Sequence, residues 1–434
     1  MKNFFYQTKN SLLITLSCII LGYLCLVAVE SIPNKYIEKN IINSAQKLEK
    51  DCDLYDRTYI YNKDYSYDSG YLFIDGVFLD IFTEADALAI TYNNKTNNPF
   101  YSAVYCYNYY IKNIGKNNRG IKALQRTVYN KIKKTGIYEH SQEWHGYRVW
   151  LKPALIFFDI SDIRLILFLF TQFLFIFVCI GISKSFKNIY GFVTFFISFE
   201  YFNYSLGTMS FIFGMDICTM LAGCLGVIYV YKKNLQIKYL SYIFTLVGIS
   251  AAYFSMFTLP LITIGFPLIL WLSLPKYDFE ENKRIYFLLK YCFYWLIGYF
   301  GMGLAKIVLS IILFNAQNGI FCIKWYTGLI GKLSLYDRFE NIIYYISNIN
   351  NYSYFRLLII IFIVVVIMAV IVIKFKKFIR QKNKLQKYLP YLIIFSFPIL
   401  WVFVVPVHIK EWTIFLFSIS IYAVLEMISE IKKL

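Results

Sequence analysis

The sequence predicts an all-α polytopic membrane protein with about ten transmembrane helices and a large external loop between the first and second of them. Three observations carry this. Hydrophobic residues make up 58% of the 434 residues, aromatic residues 20% and charged residues only 16%, and the mean hydropathy is +0.52, which is outside the range of an ordinary soluble domain. The apolar residues are gathered into runs of the roughly 20 residues that cross a hydrocarbon core. The formal net charge of +18 falls largely between those runs, as cytoplasmic loops of a membrane protein require and a nucleic-acid-binding surface does not.

Apolar windows occur at about 11–29, 162–182, 188–203, 208–230, 239–253, 256–273, 286–314, 356–374, 388–405 and 411–428. The shortest, 188–203 and 239–253, and the break at Phe254–Met256 also fit re-entrant or tilted pieces. Lys2 and Lys9 precede the first window, and Lys184 and Lys187 follow the second. Lys232, Lys233 and Lys238 follow the fourth, and Lys276, Lys283 and Arg284 follow the sixth. Lys374, Lys376, Lys377, Arg380, Lys382, Lys384 and Lys387 follow the eighth, and Lys432 and Lys433 end the chain. All these loops lie on one side, so the positive-inside rule puts both termini in the cytoplasm of a multi-pass cell-membrane protein. Residues 1–29 are then a tail and a signal anchor, 30–160 an external loop, and 161–434 a helix bundle with a second external loop at 315–354. The Lys, Asn, Ile and Tyr bias points to an AT-rich bacterial genome.

Cys18, Cys25, Cys179, Cys218, Cys224 and Cys292 fall in apolar segments and read as small hydrophobes. Cys52, Cys106 and Cys322 lie in polar segments, and a disulfide between Cys52 and Cys106 is left open.

The external loop is divided by charge. Ten acids stand against three bases from Glu49 to Asp86, whereas Lys95 to Lys134 holds nine bases and no acid. Ile121, Leu124, Val128 and Ile132 recur at helical spacing beside Lys122, Arg126, Lys131, Lys133 and Lys134, the pattern of a basic helix lying on a membrane surface. Ile37, Ile41, Ala45 and Leu48 repeat that spacing. The same stripes would equally serve to pack the helices on each other as a small ectodomain.

Candidate chemistry lies in three places. The string His140-Ser-Gln-Glu-Trp-His-Gly-Tyr-Arg-Val-Trp-Leu-Lys-Pro153 puts Trp144, Tyr147 and Trp150 at the interface as anchors, and interleaves His145, Arg148 and Lys152, which suit a phosphate headgroup. Glu200, Asp216 and Lys306 fall within apolar windows, where an ionisable group is costly enough to mark a functional or paired role, and Asp216 with Lys306 could form a plain ion pair. In the acidic half, Asp75, Asp80, Glu84 and Asp86 stand among apolar residues, which suits a general base or, for a pair such as Asp80 and Glu84, a hard divalent cation such as Mg or Mn. The three histidines, His140, His145 and His408, all fall on the external side without zinc-like spacing.

One span, a large external loop with surface helices and an acidic segment, and then a bundle of short-looped helices resembles the C-type fold (GT-C) of integral-membrane glycosyltransferases. The Trp144-His145-Gly146-Tyr147 string, with Arg148 and Lys152-Pro153, is also similar to polytopic proteins of bacterial surface-polysaccharide clusters. The resemblance implies a polyprenyl-phosphate sugar donor whose phosphate meets Arg148, Lys152 or Lys306, helped by His145 or His408; the depth of Asp216 and Lys306 in their windows points by itself to a polar cavity open outward that would bind substrate. It implies a glycan or lipid-linked acceptor, Asp80 or Asp86 as base, and Glu84 as an auxiliary or metal ligand. Asp51-Cys52-Asp53 is the nearest counterpart of that family's acidic pair. A polysaccharide polymerase or ligase, a lipid or solute transporter, and a non-catalytic envelope scaffold are the competing readings.

Overall fold

The computed structural model describes residues 2–59, 71–74, 77–92, 98–109, 124–125, 128–129, 137–139, 142–186, 189–200, 204–255, 259–275, 281–314, 320, 322–324, 382–405 and 410–432. Helices dominate. α1 (Lys2–Glu30) is followed by α2 (Glu38–Tyr59), α3 (Ile81–Tyr92), the short α4 (Pro99–Ser102) and α5 (Arg148–Phe157). The bundle continues with α6 (Ile160–Ser185), α7 (Tyr190–Glu200), the single turn α8 (Tyr204–Gly207), α9 (Phe211–Lys232), α10 (Lys238–Phe254), α11 (Pro260–Ser273) and α12 (Glu281–Leu313). It closes with α13 (Lys382–Phe395), α14 (Phe397–Val404) and α15 (Lys410–Lys432).

Among the described residues four helices are long and apolar enough to cross a membrane: Phe4–Glu30, Ile160–Ser185, Phe213–Lys232 and Lys283–Leu313. Their outward faces are apolar, with Leu12, Leu16 and Ile20 on α1, Phe170, Phe173 and Phe177 on α6, and Phe300 and Leu304 on α12 exposed. Such continuous apolar surface suits a lipid environment. The α7 and α11 helices are apolar but shorter. The window at 356–374 and the second loop, apart from residues 320 and 322–324, lie outside the described residues.

Two small antiparallel ribbons accompany the helices. β1 (Tyr71–Ile74) pairs with β2 (Val77–Asp80), and β3 (Tyr107–Tyr109) with β4 (Ile137–Glu139). The first pairs Ile74 with Val77; Asp75-Gly76, a strong hairpin dipeptide in the sequence, lies outside the described residues. Asp80 is thus the last residue of a strand, and α3 starts one residue later.

α6 begins at a capping box, where the Asp159 carboxylate accepts the Ser161 N–H (3.0 Å) and Asp162 reaches back to the Asp159 N–H. α10 and α12 touch backbone to backbone: a Cβ on Gly248 would lie 2.1 Å from the Trp295 carbonyl oxygen, and one on Gly298 2.2 Å from that of Thr245. Only glycine permits that approach. α1 lies along both of these helices.

The apolar stripes of the loop face protein rather than lipid headgroups. Ile37, Ile41, Ala45 and Leu48 are fully buried in one core with Leu88, Leu124, Val128, Leu151 and Leu155. The surface-helix expectation is corrected for these residues to helices packed on each other, because a helical stripe fits any apolar partner and α3 and α5 supply one. Ile121, Ile132 and the basic face from Lys131 to Lys134 lie outside the described residues.

Candidate functional site

The end of α1, the segment from Ser102 to Cys106, the Gln142–Lys152 stretch, the end of α10 and the middle of α12 enclose a polar centre inside the protein. Gly146 fixes the stretch. Its N–H donates to the Tyr253 carbonyl (2.9 Å), and a Cβ there would stand 2.4 Å from the Tyr253 ring and 2.5 Å from its carbonyl oxygen. His145, just before it, adopts a left-handed conformation (φ 50°), which a non-glycine residue holds only where its surroundings impose it.

Trp144 and Tyr147 are buried, so the expectation that they anchor at the membrane interface is corrected. The Trp144 indole N–H donates to the Met302 carbonyl (2.7 Å) inside α12, a partner that a buried indole needs and an interfacial one finds in water. The Tyr253 hydroxyl donates to the Gly22 carbonyl (2.7 Å), a contact roughly 12 Å along α1 from Glu30 at 1.5 Å per residue. The stretch therefore enters the bundle between α1, α10 and α12. Trp150, half-buried, packs edge-on against Phe211.

Arg148 NH1 donates to Glu30 Oε1 (2.6 Å) and to the Ser102 carbonyl (3.2 Å), and NH2 to the Ala103 carbonyl (2.9 Å). Lys152 Nζ reaches Glu30 Oε2 (3.2 Å). Glu30, at the end of the first apolar helix, thus holds two cations, all three side chains being at most 2% exposed. Lys306 Nζ donates to the Val104 carbonyl (2.7 Å) and lies 5.6 Å from the Trp144 ring centroid. The Tyr147 hydroxyl and His145 Nδ1 are 3.1 Å apart. Asp86 is buried close enough for its charge to act on Tyr147.

Glu143 completes the centre. It is buried, and its Oε2 has no hydrogen-bond partner. Burial pushes its carboxyl up to about 8, against the opposing pull of Lys306. Burial pulls the Lys152 ammonium down, partly countered by Glu30. Burial also works against the Arg148 charge, but Cys106, Glu30, Tyr147 and Tyr253 outweigh it and leave the group above its usual value.

The other predicted residues lie apart. Glu84, fully buried in the first turn of α3, is bound by the Arg164 guanidinium, and its Oε1 accepts the Phe211 N–H (3.1 Å) at the start of α9. Arg164 also pairs with Asp51 (2.9 Å), and Lys47 with Asp159 (2.7 Å), which ties α2 to α6. Asp216 Oδ2 accepts the Ser255 hydroxyl (3.1 Å) and the Leu259 N–H (3.0 Å), closing the break between α10 and α11. Asp216 and Lys306 thus have separate partners. Glu200, half-buried, ends α7. Asp80 is described only as the end of β2, while His140 and His408 lie outside the described residues. Cys106 is buried.

Both Glu84 oxygens are engaged, and among the described residues no three His, Cys, Asp or Glu side chains converge as a metal cage. The centre gathers His145, Arg148, Lys152 and Lys306, with Asp86 nearby. The sequence reading missed Glu30 and Glu143. Glu143 stood inside the quoted string, and a carboxylate beside three candidate cations was the available signal. Comparison with protein-family models, curated proteins and solved structures finds no match to this chain.

Proposed function

We propose that the chain is a multi-pass membrane glycosyltransferase that moves a sugar from a polyprenyl-phosphate donor to a cell-surface glycan or a lipid-linked acceptor. In this reading the protein crosses a bacterial plasma membrane about ten times with both termini cytoplasmic, and residues 30–160 and 315–354 lie outside. The donor enters from the bilayer past apolar α1, and its phosphate is drawn to Arg148, Lys152 and Lys306, with His145 and His408 assisting. Asp80 or Asp86 takes the proton of the acceptor hydroxyl. Glu84, clamped by Arg164, holds α3 in place beneath them, and Asp216 supports the neighbouring helix break.

The observation that carries the reading is electrostatic. Among the described residues the centre gathers Arg148, Lys152 and Lys306 around Glu30, with Asp86 nearby, and burial pushes the Glu143 carboxyl up to about 8. Three cationic side chains, buried beside apolar helices, favour an anionic lipid phosphate. A second reading, a non-catalytic envelope scaffold, is favoured by Arg148 and Lys306 already having protein acceptors, as a structural ion network would.

The test is mass spectrometry of the envelope polysaccharide from a deletion strain, complemented with wild type, Asp80→Asn or Asp86→Asn. A missing sugar branch, restored by wild type and not by one or both variants while all insert equally, supports transfer. Unchanged glycans on deletion refute it, and wild-type activity in both variants removes these aspartates from the mechanism.

A further inference from the structure

Backbone carbonyls position two of the three cations of the polar centre. Ser102, Ala103 and Val104 are consecutive, and their carbonyls accept Arg148 NH1 (3.2 Å), Arg148 NH2 (2.9 Å) and Lys306 Nζ (2.7 Å) in turn. Arg148 Nε also donates to the His145 carbonyl (3.3 Å). One strip of main chain therefore fixes the guanidinium and the Lys306 ammonium side by side. The strip follows α4, which Asn98 caps by accepting the Phe100 N–H (3.0 Å).

Glu30 bridges from this strip to the third cation. One of its oxygens takes Arg148 NH1 (2.6 Å) and the other Lys152 Nζ (3.2 Å). An ammonium has three donors, and among the described residues Lys152 and Lys306 each make one hydrogen bond. A phosphate, with three terminal oxygens, reaches more of those donors than a two-oxygen carboxylate does. A purely structural ion network is expected to fill its donors, because a buried donor left unmade costs its desolvation. The position of Glu30 agrees with a phosphate. It is the last residue of an apolar helix long enough to cross a membrane, which sets its carboxylate at the depth where a membrane lipid carries its phosphate. Ser31 and Pro33, immediately beyond it, are exposed, and helix ends open at lower cost than helix interiors.

We propose that Glu30 is an internal stand-in for a lipid phosphate, occupying Arg148 and Lys152 until an anionic lipid phosphate displaces it and bridges Arg148, Lys152 and Lys306. The inference rests on the reading of these three side chains as phosphate ligands and adds how the site is guarded. The exchange makes and breaks no covalent bond: the carboxylate leaves with the end of α1 toward the exposed Ser31–Pro33 turn, while the main-chain carbonyls keep Arg148 and Lys306 in place. A neutral lipid offers these cations no replacement charge, so it leaves the bridge shut. The bridge also lowers the apparent affinity for phosphate by the fraction of molecules in which the cations are released.

The test measures binding of radiolabelled polyprenyl monophosphate, and separately of inorganic phosphate, to the full chain in micelles of a neutral detergent at fixed salt. Glu30→Gln should tighten lipid-phosphate binding about tenfold or more, the equivalent of one charged hydrogen bond no longer competing. Glu30→Asp keeps the charge but is one methylene too short to span both cations, and should tighten binding about threefold or more. Simple repulsion between Glu30 and the phosphate predicts no gain for Glu30→Asp, which also carries the test if Glu30→Gln misfolds. Binding by wild type with both variants within about twofold of it overturns the proposal and leaves the phosphate site standing. No binding by any form overturns both. Tightening for inorganic phosphate and not for the lipid overturns the lipid as the displacing group. Unchanged envelope glycans on deletion would refute the transferase while the exchange stands.

Discussion

Glu30→Gln is the sharpest perturbation of the polar centre, because one carboxylate holds two buried cations. Glutamine keeps the volume and one acceptor oxygen but removes the charge facing Arg148 at 2.6 Å and Lys152 at 3.2 Å. Arg148 retains the Ser102 and Ala103 carbonyls, so the penalty concentrates on the fully buried Lys152 ammonium, whose charged partner here is Glu30. Stranding a buried charge costs about 3–5 kcal/mol, and the variant should lose that much stability at pH 7. Burial already pulls Lys152 down, and loss of Glu30 pulls it further. A base whose folded-state value is lowered destabilises fully at low pH and ceases to do so once it is neutral in both states, so the defect should shrink as pH rises through the lysine range. Glu30→Gln with Lys152→Met should recover about half of the loss, since the stranded charge is gone. Unfolding in mild detergent, followed by circular dichroism across pH, measures all three effects. A loss below about 1 kcal/mol, or strict additivity of the two substitutions, would refute the argument that Glu30 organises the centre.

Gly146→Ala places a methyl group 2.4 to 2.5 Å from Tyr253 atoms, an overpacking expected to cost at least about 2–3 kcal/mol in the same unfolding assay; wild-type stability would show that the stretch does not enter the bundle. Glu143→Gln should flatten the pH dependence of stability. The folded carboxyl at about 8 lies above its ordinary 4.5, so its contribution is complete below pH 4.5 and is lost as pH rises through 8, a change on the order of a few kcal/mol that glutamine cannot undergo. Parallel curves for wild type and variant between pH 5 and 8.5 would count against burial of this carboxyl.

The long apolar helices α1, α6, α9 and α12 are legible in the sequence because unbroken apolar runs have few alternatives. A stripe such as Ile37, Ile41, Ala45 and Leu48 says that one face is buried and leaves the partner open; only the fold supplies Leu151 and Leu155. Arg148, Lys152 and Lys306 stand out by residue type, and the fold gathers them. Glu30 carries no local signal at the edge of the first apolar window, since its partners are more than a hundred positions away. The β1–β2 ribbon was hidden because Asp75, Asp80, Glu84 and Asp86 drew its residues into an acidic segment.

Glu143 separates the transferase from the scaffold more cleanly than the cations do. Arg148, Lys152 and Lys306 each have protein acceptors, so removing any one of them disturbs the fold and the function together. Glu143 Oε2 has no hydrogen-bond partner among the described residues, and an apolar side chain of similar size should be neutral or stabilising there, because it removes a buried oxygen with an unmade bond. In a scaffold Glu143→Leu therefore yields a protein at least as stable and unchanged in its role. In a transferase the same substitution removes a buried carboxyl that burial pushes up to about 8, a group fit to exchange a proton when an anionic phosphate enters. A variant of full stability that no longer restores the envelope glycan assigns Glu143 to the chemistry, and one of full stability that restores it assigns the centre to architecture.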